Sequence, residues 1–499
     1  MENQRTEFNS LDRKVYRREM AKCLICHDAP CTNACETMDP AKKLRSVWFD
    51  NDNVAAAEMP DNFLCALCEA PCESACVSEV SIKRVMTVLD AMRNNNLDVI
   101  PDYNLIKTDF CGIELENPFL LSSSVVSSTY EMCARALDAG WAGVAFKTVS
   151  LMDIHETSPR FSAVRGDIGS IASFKNIEQL SDHSLVENLH IFRKLKDNYP
   201  NKLLLASIMG RNEEEWEYLA RIVTEAGADA LELNFSCPNM TEDGTGSDVG
   251  QIPELVEKYT AAARRGSSVP ILAKLTPNVE TMSPVAEAAK RGGADGLAAI
   301  NTIKSLIHTT DGSVTVGGLS GRAVKPIALR FIAELGKNPN LKGMHISGMG
   351  GIETWRDAME FIAYGAGTVQ ITTAVMEYGY RIIDDLRSGM ASFLKVNNLT
   401  LEEECVGGLL DLLESVDDVK RDIVVYPKFI RDYCAGCGRC YVSCMDGGHQ
   451  ALSFNENRQP ILDPEKCVGC HLCILVCPCE AIVSSGKEMP VKKKSDSQS

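Results

Sequence analysis

No apolar stretch in the chain approaches the ~20 residues that a membrane-crossing helix needs. The opening residues, MENQRTEFNSLDRK, lack the apolar core of a secretory signal. These absences lead to the expectation of a cytoplasmic protein without a membrane partner, its thiols reduced rather than paired in disulfides. Positive charge is also short. Against 68 Asp and Glu stand 51 Lys and Arg, a net charge of -17, so no basic surface is available to neutralise the phosphates of a nucleic acid. Histidines number only 8 and never recur as H-x-x-x-H; His155, His308 and His345 are scattered singly and offer no metal site. A G-x-G-x-x-G between a strand and a helix is missing too. The GAG of AYGAGTVQ precedes a strand, the wrong order for a dinucleotide turn, so no NAD or FAD domain is expected in this chain.

Cysteine, by contrast, is abundant: 21 in all. The runs CAGCGRCYVSC and CVGCHLCILVCP place Cys434, Cys437, Cys440, Cys444 and Cys467, Cys470, Cys473, Cys477 in two copies of C-x-x-C-x-x-C-x-x-x-C, the ligand pattern of a two-cluster ferredoxin. Each 4Fe-4S cubane takes three thiolates from one tight loop and the fourth from the other repeat, so Cys477 is expected to complete the first cluster and Cys444 the second. Zinc also binds C-x-x-C pairs, but a third Cys at the next two-residue interval has no use at a tetrahedral zinc site. Pro478 follows Cys477 as in ferredoxins, whereas Met445 stands where the other repeat usually has Pro. That departure changes the loop's shape and not its ligands.

A second block, CLICHDAPCTNAC and CALCEAPCESAC, supplies Cys23, Cys26, Cys31, Cys35 and Cys65, Cys68, Cys72, Cys76. With the SIKRVMTVLDAM helix that follows, residues 1–100 resemble the helical iron-sulfur domain of the glutamate synthase small subunit and of dihydropyrimidine dehydrogenase. The resemblance implies two further clusters. By analogy with the interleaved ferredoxin, one takes Cys23, Cys26, Cys31 and Cys76, and the other Cys35, Cys68 and Cys72. Its fourth ligand stays open between Cys65 and a non-Cys residue, as in some relatives.

Residues 101–395 read as alternating strand and helix. Short apolar runs appear at NPFLLSS, GVAFKTV, LLLASIM, ALELNFS, PILAKLT, GLAAINT, MHISGMG and TVQITTA, with amphipathic patterns such as EEEWEYLARIVTEAGA between them. Eight buried-type strands separated by helices fit a (β/α)8 TIM barrel better than an open sheet. Polar residues gather where the runs end: Lys147 and Thr148, then Asn234, Ser236 and Cys237, then Lys274, Asn301, Thr302, Thr372 and Thr373. Barrel active sites are built on that rim. The glycines Gly348, Gly350 and Gly351 of SGMGGIETW come just before a helix, where backbone N–H groups favour a phosphate, and FMN fits the usual phosphate site after strands seven and eight.

The middle and C-terminal parts resemble the dihydropyrimidine dehydrogenase family, most of all the barrel-and-ferredoxin subunit of the bacterial two-subunit enzyme, through AFKTVS, ASIMG, ELNFSCPN, AKLTPNV, INTIKS, GGLSG with VKPIALR, and GGIETW. ELNFSCPN is also similar to the catalytic motif of dihydroorotate dehydrogenases. The resemblance implies FMN contacts at Ser123, Lys147, Thr148, Lys274, Gly321, Gly350, Gly351, Thr372 and Thr373. It implies substrate contacts at Asn176, Asn234, Ser236, Asn301 and Thr302. Reduction of a pyrimidine 5,6 double bond needs a hydride at C6 and a proton at C5, and Cys237 is the expected acid, since a thiol with a reference pKa of about 8.5 is protonated at neutral pH. With no dinucleotide domain in the chain, electrons are expected from an FAD- and NAD(P)-binding partner subunit or from a ferredoxin. The resemblance further implies a homodimer of the barrel chain within a hetero-oligomer. Two other readings stand beside this one: an FMN barrel oxidoreductase acting on orotate or another activated alkene, and a non-catalytic electron-wiring subunit.

Beyond the barrel, residues 396–428 read as a helical acidic linker, 429–486 as the ferredoxin-like domain and 487–499 as a disordered tail. Cys111, Cys133, Cys405 and Cys479 are expected to be structural or incidental.

Overall fold

Residue 16 and residues 19–62, 65–93, 99–166, 171–242, 244–308 and 312–490 are described by a computed structural model. Eight runs form the strands β1 (Phe119–Leu121), β2 (Gly143–Val149), β3 (Leu203–Ile208), β4 (Ala230–Asn234), β5 (Ile271–Lys274), β6 (Gly296–Ala299), β7 (His345–Met349) and β8 (Thr368–Ile371). They pair in parallel and in chain order into a closed barrel, with β8 against β1. The strands carry almost no exposed residue because both faces are covered, as parallel sheets require.

Helices wrap the outside, and one illustrates how. Glu213–Glu225 starts where the Asn212 side chain accepts the Glu215 N–H, with Glu213, Glu214 and Glu215 in its first turn, so both the free N–H groups and the helix dipole are answered. Trp216, Leu219, Ala220 and Val223 then fall on one stripe and are buried, in the i, i+3, i+4, i+7 pattern of a core-facing helix.

Two hairpins rise after β2 and β6 and join above the rim. Phe161–Arg165, Ile171–Asn176, Val314–Ser320 and Ile303–His308 make a four-stranded antiparallel sheet that the eight-run reading did not contain. At the other end, the hairpin Thr108–Phe110 with Ile113–Leu115 closes the barrel, and its Phe110 and Leu115 pack among the interior residues Leu120, Leu205 and Leu272.

The chain divides into two compact units. One holds residues 37–63 and 89–412, so part of the segment read as an iron-sulfur domain belongs with the barrel. Helix Pro40–Trp48 is tied to helix Ile382–Asn397 by Arg45 Nε to Asp385 at 2.6 Å and Ser46 Oγ to Asp385 at 2.7 Å.

The second unit holds the cysteine blocks. Helices Pro30–Asn33 and Pro71–Ser74 each begin with Pro after an Ala in the left-handed region, so the two APC repeats fold alike. Strand Ile423–Phe429 pairs antiparallel with Ile482–Pro490, and helices Arg439–Gly447 and Leu472–Leu475 follow the two cysteine loops.

Two segments differ from the sequence reading. The expected helical linker has only the turns Leu401–Cys405 and Leu410–Leu412 before strand Ile423–Phe429. Asn398, with φ 54°, ends the preceding helix, and Gly407 at φ 73° bars its resumption. The expected tail begins inside a strand that runs to Pro490; residues 491–499 lie outside the described residues. Among the described residues no helix is long and apolar enough to cross a membrane.

Candidate active site

One cavity of roughly 1130 Å³, counting the solvent at its mouth, opens on the C-terminal ends of the strands. Its wall contains Ser123, Lys147, Thr148, Lys274, Gly321, Gly350, Gly351, Thr372 and Thr373, the residues expected to hold FMN. Asn176, Asn234, Asn301, Thr302 and Cys237 line the same space. Ser236 alone of the expected residues lies behind the wall. Its hydroxyl donates to Asn234 Oδ1 at 2.9 Å and accepts from Asn301 Nδ2 at 2.9 Å, so it orients two amides.

The amides are fixed from several sides. Asn234 Nδ2 donates to Thr148 Oγ1 at 2.9 Å, and Thr148 in turn meets Ser123 Oγ at 3.2 Å and Ser207 Oγ at 2.9 Å. Asn176 Oδ1 accepts from Asn239 Nδ2 at 3.2 Å, while Asn239 also donates to the Glu178 carbonyl at 2.8 Å. Asn239 and Glu178 both line the cavity and were not anticipated, although Asn239 stands in the singled-out NFSCPN motif.

Both lysines are buried and paired with carboxylates. Lys147 Nζ lies 3.1 Å from Glu156 and 2.8 Å from Glu178, which also binds Arg160 at 3.0 Å. Lys274 Nζ lies 3.1 Å from Glu232 on the neighbouring strand and 3.4 Å from Ser122 Oγ. Glu232 is fully buried. A charged residue inside the apolar run ALELN was the available signal for it.

Cys237 sits on the loop after β4, 6 % exposed. Burial pushes its thiol up to about 11, with the Asn239 backbone N–H, Lys274 and Lys147 pulling the other way. Gly246 and Gly250 hold the loop close, since a Cβ on either would strike the carbonyls of Cys237 and Phe235.

At the opposite end of the cavity, Gly350 and Gly351 have φ of 122° and 83°. A Cβ on Gly351 would come 2.8 Å from the Gly321 carbonyl, so these two loops touch through bare backbone. The segment that leads into the helix Trp355–Ala363 is tied down by a capping box. Asp357 Oδ2 accepts from the N–H of Glu353 at 3.0 Å and of Thr354 at 2.8 Å. The glycines and the hydroxyls of Thr372 and Thr373 border this end of the cavity. Glu353 borders this end; burial raises its carboxyl to about 7 despite Arg322 at 3.1 Å. On the cavity floor, Gln370 Oε1 is buried without a hydrogen-bond partner, a vacancy that a ring N–H would fill. The donor set thus fits FMN.

The thiols of the C-terminal block stand around two cavities. Cys434, Cys437, Cys440 and Cys477 border one, and Cys444, Cys467, Cys470 and Cys473 border the other. This is the interleaving that the spacing predicts. Backbone N–H groups of Gly436, Ala451, Gly469 and Ala481 donate to Cys434, Cys444, Cys467 and Cys477 sulfurs at 3.3–3.4 Å. Cys479 borders the first cavity as well. In the N-terminal block, the Cys23 thiol is raised by burial and by neighbouring Cys31, Cys26 and Cys76. Cys72 is pushed up to about 11 by burial, with Cys35 and Cys65 adding to it. Among the described residues, no three His, Cys, Asp or Glu close on one point as a single metal ion demands.

Residues 105–394 match the dihydroorotate dehydrogenase family, and residues 429–484 match the 4Fe-4S dicluster domain. The chain is 53 % identical over 381 residues to the NAD-dependent dihydropyrimidine dehydrogenase subunit PreA of Escherichia coli, covering 74 % of this chain and 92 % of that protein. It is 37 % identical over 333 residues to the chloroplastic NADP(+) dihydropyrimidine dehydrogenase of Arabidopsis thaliana, covering 62 % and 78 %. A crystal structure of DHODH from Eimeria tenella superposes with a TM-score of 0.53 at 18 % identity, covering 62 % of this chain and 89 % of that one, a likeness of fold. The chain therefore belongs to the dihydroorotate dehydrogenase family of barrel oxidoreductases, on its dihydropyrimidine dehydrogenase branch, with a 4Fe-4S dicluster domain at its C-terminal side.

Proposed function

We infer that this chain reduces the 5,6 double bond of a pyrimidine such as uracil or thymine, or runs the reverse reaction. The observation that carries this reading is the convergence of the Asn176, Asn234 and Asn301 amides on the cavity that also contains the buried Cys237 thiol. Each amide offers both a donor and an acceptor, matching the alternating N–H and C=O edge of a pyrimidine, which an aliphatic pocket has no means to orient.

When bound, FMN would supply the hydride for C6. Cys237 holds its proton at neutral pH because burial disfavours the thiolate. It gives that proton to C5 as negative charge develops there, leaving a thiolate that the Asn239 backbone N–H, Lys274 and Lys147 stabilise against burial and the Glu156 carboxylate. Ser123, Lys147, Thr148, Lys274, Gly321, Gly350, Gly351, Thr372 and Thr373 are the groups that would hold the cofactor. Iron-sulfur clusters at the cysteine sets carry electrons when bound, two in the C-terminal domain and two at the N-terminal block in this reading. Their donor is a partner subunit with FAD and a nicotinamide site, or a ferredoxin, and two copies of this chain pair within the assembly.

A single-turnover assay tests the reading. The protein is purified anaerobically, photoreduced and mixed separately with uracil, thymine or orotate, and the dihydro product is separated by chromatography. Product from uracil or thymine that disappears in Cys237→Ala is the expected result. Product from orotate alone would move the reading to a dihydroorotate chemistry, and none from any of the three, with flavin and iron at full occupancy, would overturn it.

A further inference from the structure

Lys274 is one end of a buried polar chain that runs down the barrel interior. The period of two along each strand turns Glu232 of β4, Lys274 of β5, Ser347 of β7 and Thr368 and Gln370 of β8 inward, while Leu231, Leu233, Ala273 and Val369 pack outward. Lys274 Nζ meets Glu232 Oε1 at 3.1 Å, and Gln370 Nε2 meets Glu232 Oε2 at 3.1 Å and Ser347 Oγ at 3.2 Å. Thr368 Oγ1 donates to Ser347 Oγ at 3.0 Å and meets His345 Nε2 at 2.9 Å. Leu120, Ala145, Leu205, Leu272 and Ala298 are among the apolar residues of the interior.

A carboxylate in such surroundings persists only when its charge is paired and its oxygens hydrogen-bonded. Glu232 has both, the charge from Lys274 and the second oxygen's donor from Gln370. The same contact settles how the Gln370 amide is turned, because only its NH2 can face a carboxylate. That orientation leaves Oε1 buried and without a partner.

We propose that Glu232 is a positioning residue that fixes Lys274 at the cofactor edge as half of a neutral ion pair, and that this pair, not a free ammonium, sets the reduction potential of bound FMN. The inference rests on the cavity being the FMN site. An unpaired lysine would stabilise the negative charge of the reduced ring and raise the potential; the carboxylate beside it opposes that effect.

The test is the potential of the purified holoenzyme, its flavin content fixed by absorbance and its potential read against indicator dyes during anaerobic reduction, with no pyrimidine present. Glu232→Gln is expected to raise the reduced-to-oxidised flavin ratio at a given poise at least tenfold, ~30 mV for a two-electron couple. Lys274→Met is expected to lower it by a similar factor. The double variant, which leaves no buried charge unpaired, returns toward the wild-type value. Should Glu232→Gln fail to fold, Lys274→Met against the double variant decides alone. Equal potentials in those two would show that Glu232 has no influence and would overturn the proposal. So would shifts of the same sign in the two single variants. Wild-type protein that binds no flavin would instead remove the cofactor reading on which the proposal stands.

Discussion

The floor and the mouth of the cavity each hold a buried lysine, and the two are held by different means. On the floor, Lys274 pairs with Glu232 across adjacent barrel strands, whose register sets Asn234 opposite Lys274 and Glu232 opposite Leu272. At the mouth, Lys147 leaves β2 for Glu156 and Glu178, which stand on segments inserted between β2 and β3, with Arg160 as a further cation. A hydrogen-bonded strand ladder fixes the first pair. The second depends on loop and hairpin side chains that a ligand can rearrange. Substitutions on the floor should therefore register in the cofactor's potential, and those at the mouth in substrate binding and proton donation.

Cys237 provides the largest effect with which to break that division. Removing a general acid costs typically ~10²–10⁴-fold in rate, so Cys237→Ala should slow single-turnover product formation by that order while leaving the flavin potential in place. The pH profile sharpens the point. Burial raises this thiol to about 11, so the proton stays on sulfur as pH climbs past the ordinary thiol range and is lost only near that higher value. Product formation limited by proton donation is expected to stay flat through pH 9. A fall centred near pH 8.5 would mean that the thiol is not buried during turnover.

Ser236→Ala comes next. Its hydroxyl sits between Asn234 and Asn301 without lining the cavity. Loss of that hydroxyl leaves Asn234 Oδ1 with the Ser236 backbone N–H alone and takes the acceptor from Asn301 Nδ2, at ~1–3 kcal/mol. Pyrimidine affinity should weaken by roughly 5- to 150-fold at 1.4 kcal/mol per decade, measured by titration of the oxidised protein, with flavin content unchanged. Equal affinity in the variant would show that the amides hold their orientation without it.

How much of this was legible in the sequence follows the same division. The barrel strands are runs such as GVAFKTV and PILAKLT, whose apolar character is dictated by burial on both faces, and the residues at their ends inherit a predictable place on the rim. The sheet above the rim left no comparable trace. Val314–Ser320 pairs with Ile171–Asn176 across more than a hundred residues, and exposed positions such as Leu306, Val314 and Val316 obscure any inward pattern. Glu156 and Glu178 reach Lys147 only because that insert folds over it, so nothing local announces them. The cysteine loops are the reverse case: ligand spacing alone predicts the interleaved sets that surround the two C-terminal cavities. The phosphate end is legible as well, since GMGG marks the close approach and the T-x-x-D spacing of Thr354 and Asp357 marks the helix start.

A smaller effect is expected from Glu156→Gln, which removes one of the two carboxylates on Lys147 and keeps the hydrogen bond geometry to the Gln179 N–H. Hydrogen bonds to charged groups contribute about 1.5–3 kcal/mol net, and the remaining Glu178 contact recovers part of that. The expected outcome is a several-fold change in the pyrimidine concentration needed for half-maximal turnover, with the flavin potential unmoved. A potential shift as large as that of Glu232→Gln would erase the distinction between floor and mouth.

The mildest test lies at the phosphate end. Glu353 faces Arg322 at 3.1 Å, with Glu377 and Asp357 nearby, and burial holds its carboxyl at about 7 against an ordinary 4.5. The group is neutral in the folded protein below that pH and charged above it. Because its pKa is raised on folding, its contribution favours the folded state least at high pH, the loss accumulating from about 4.5 to about 7. If the glycines and threonines beside it hold the FMN phosphate, ionised Glu353 repels that dianion, with Arg322 partly compensating. Flavin release on dilution, followed by the fluorescence of free flavin, is then expected to quicken a few-fold between pH 6 and pH 8.5, and Glu353→Gln to abolish the dependence. Release that is equally slow at both pH values in the wild type would place the phosphate away from this carboxyl and shift the cradle toward the Thr372 side of the cavity.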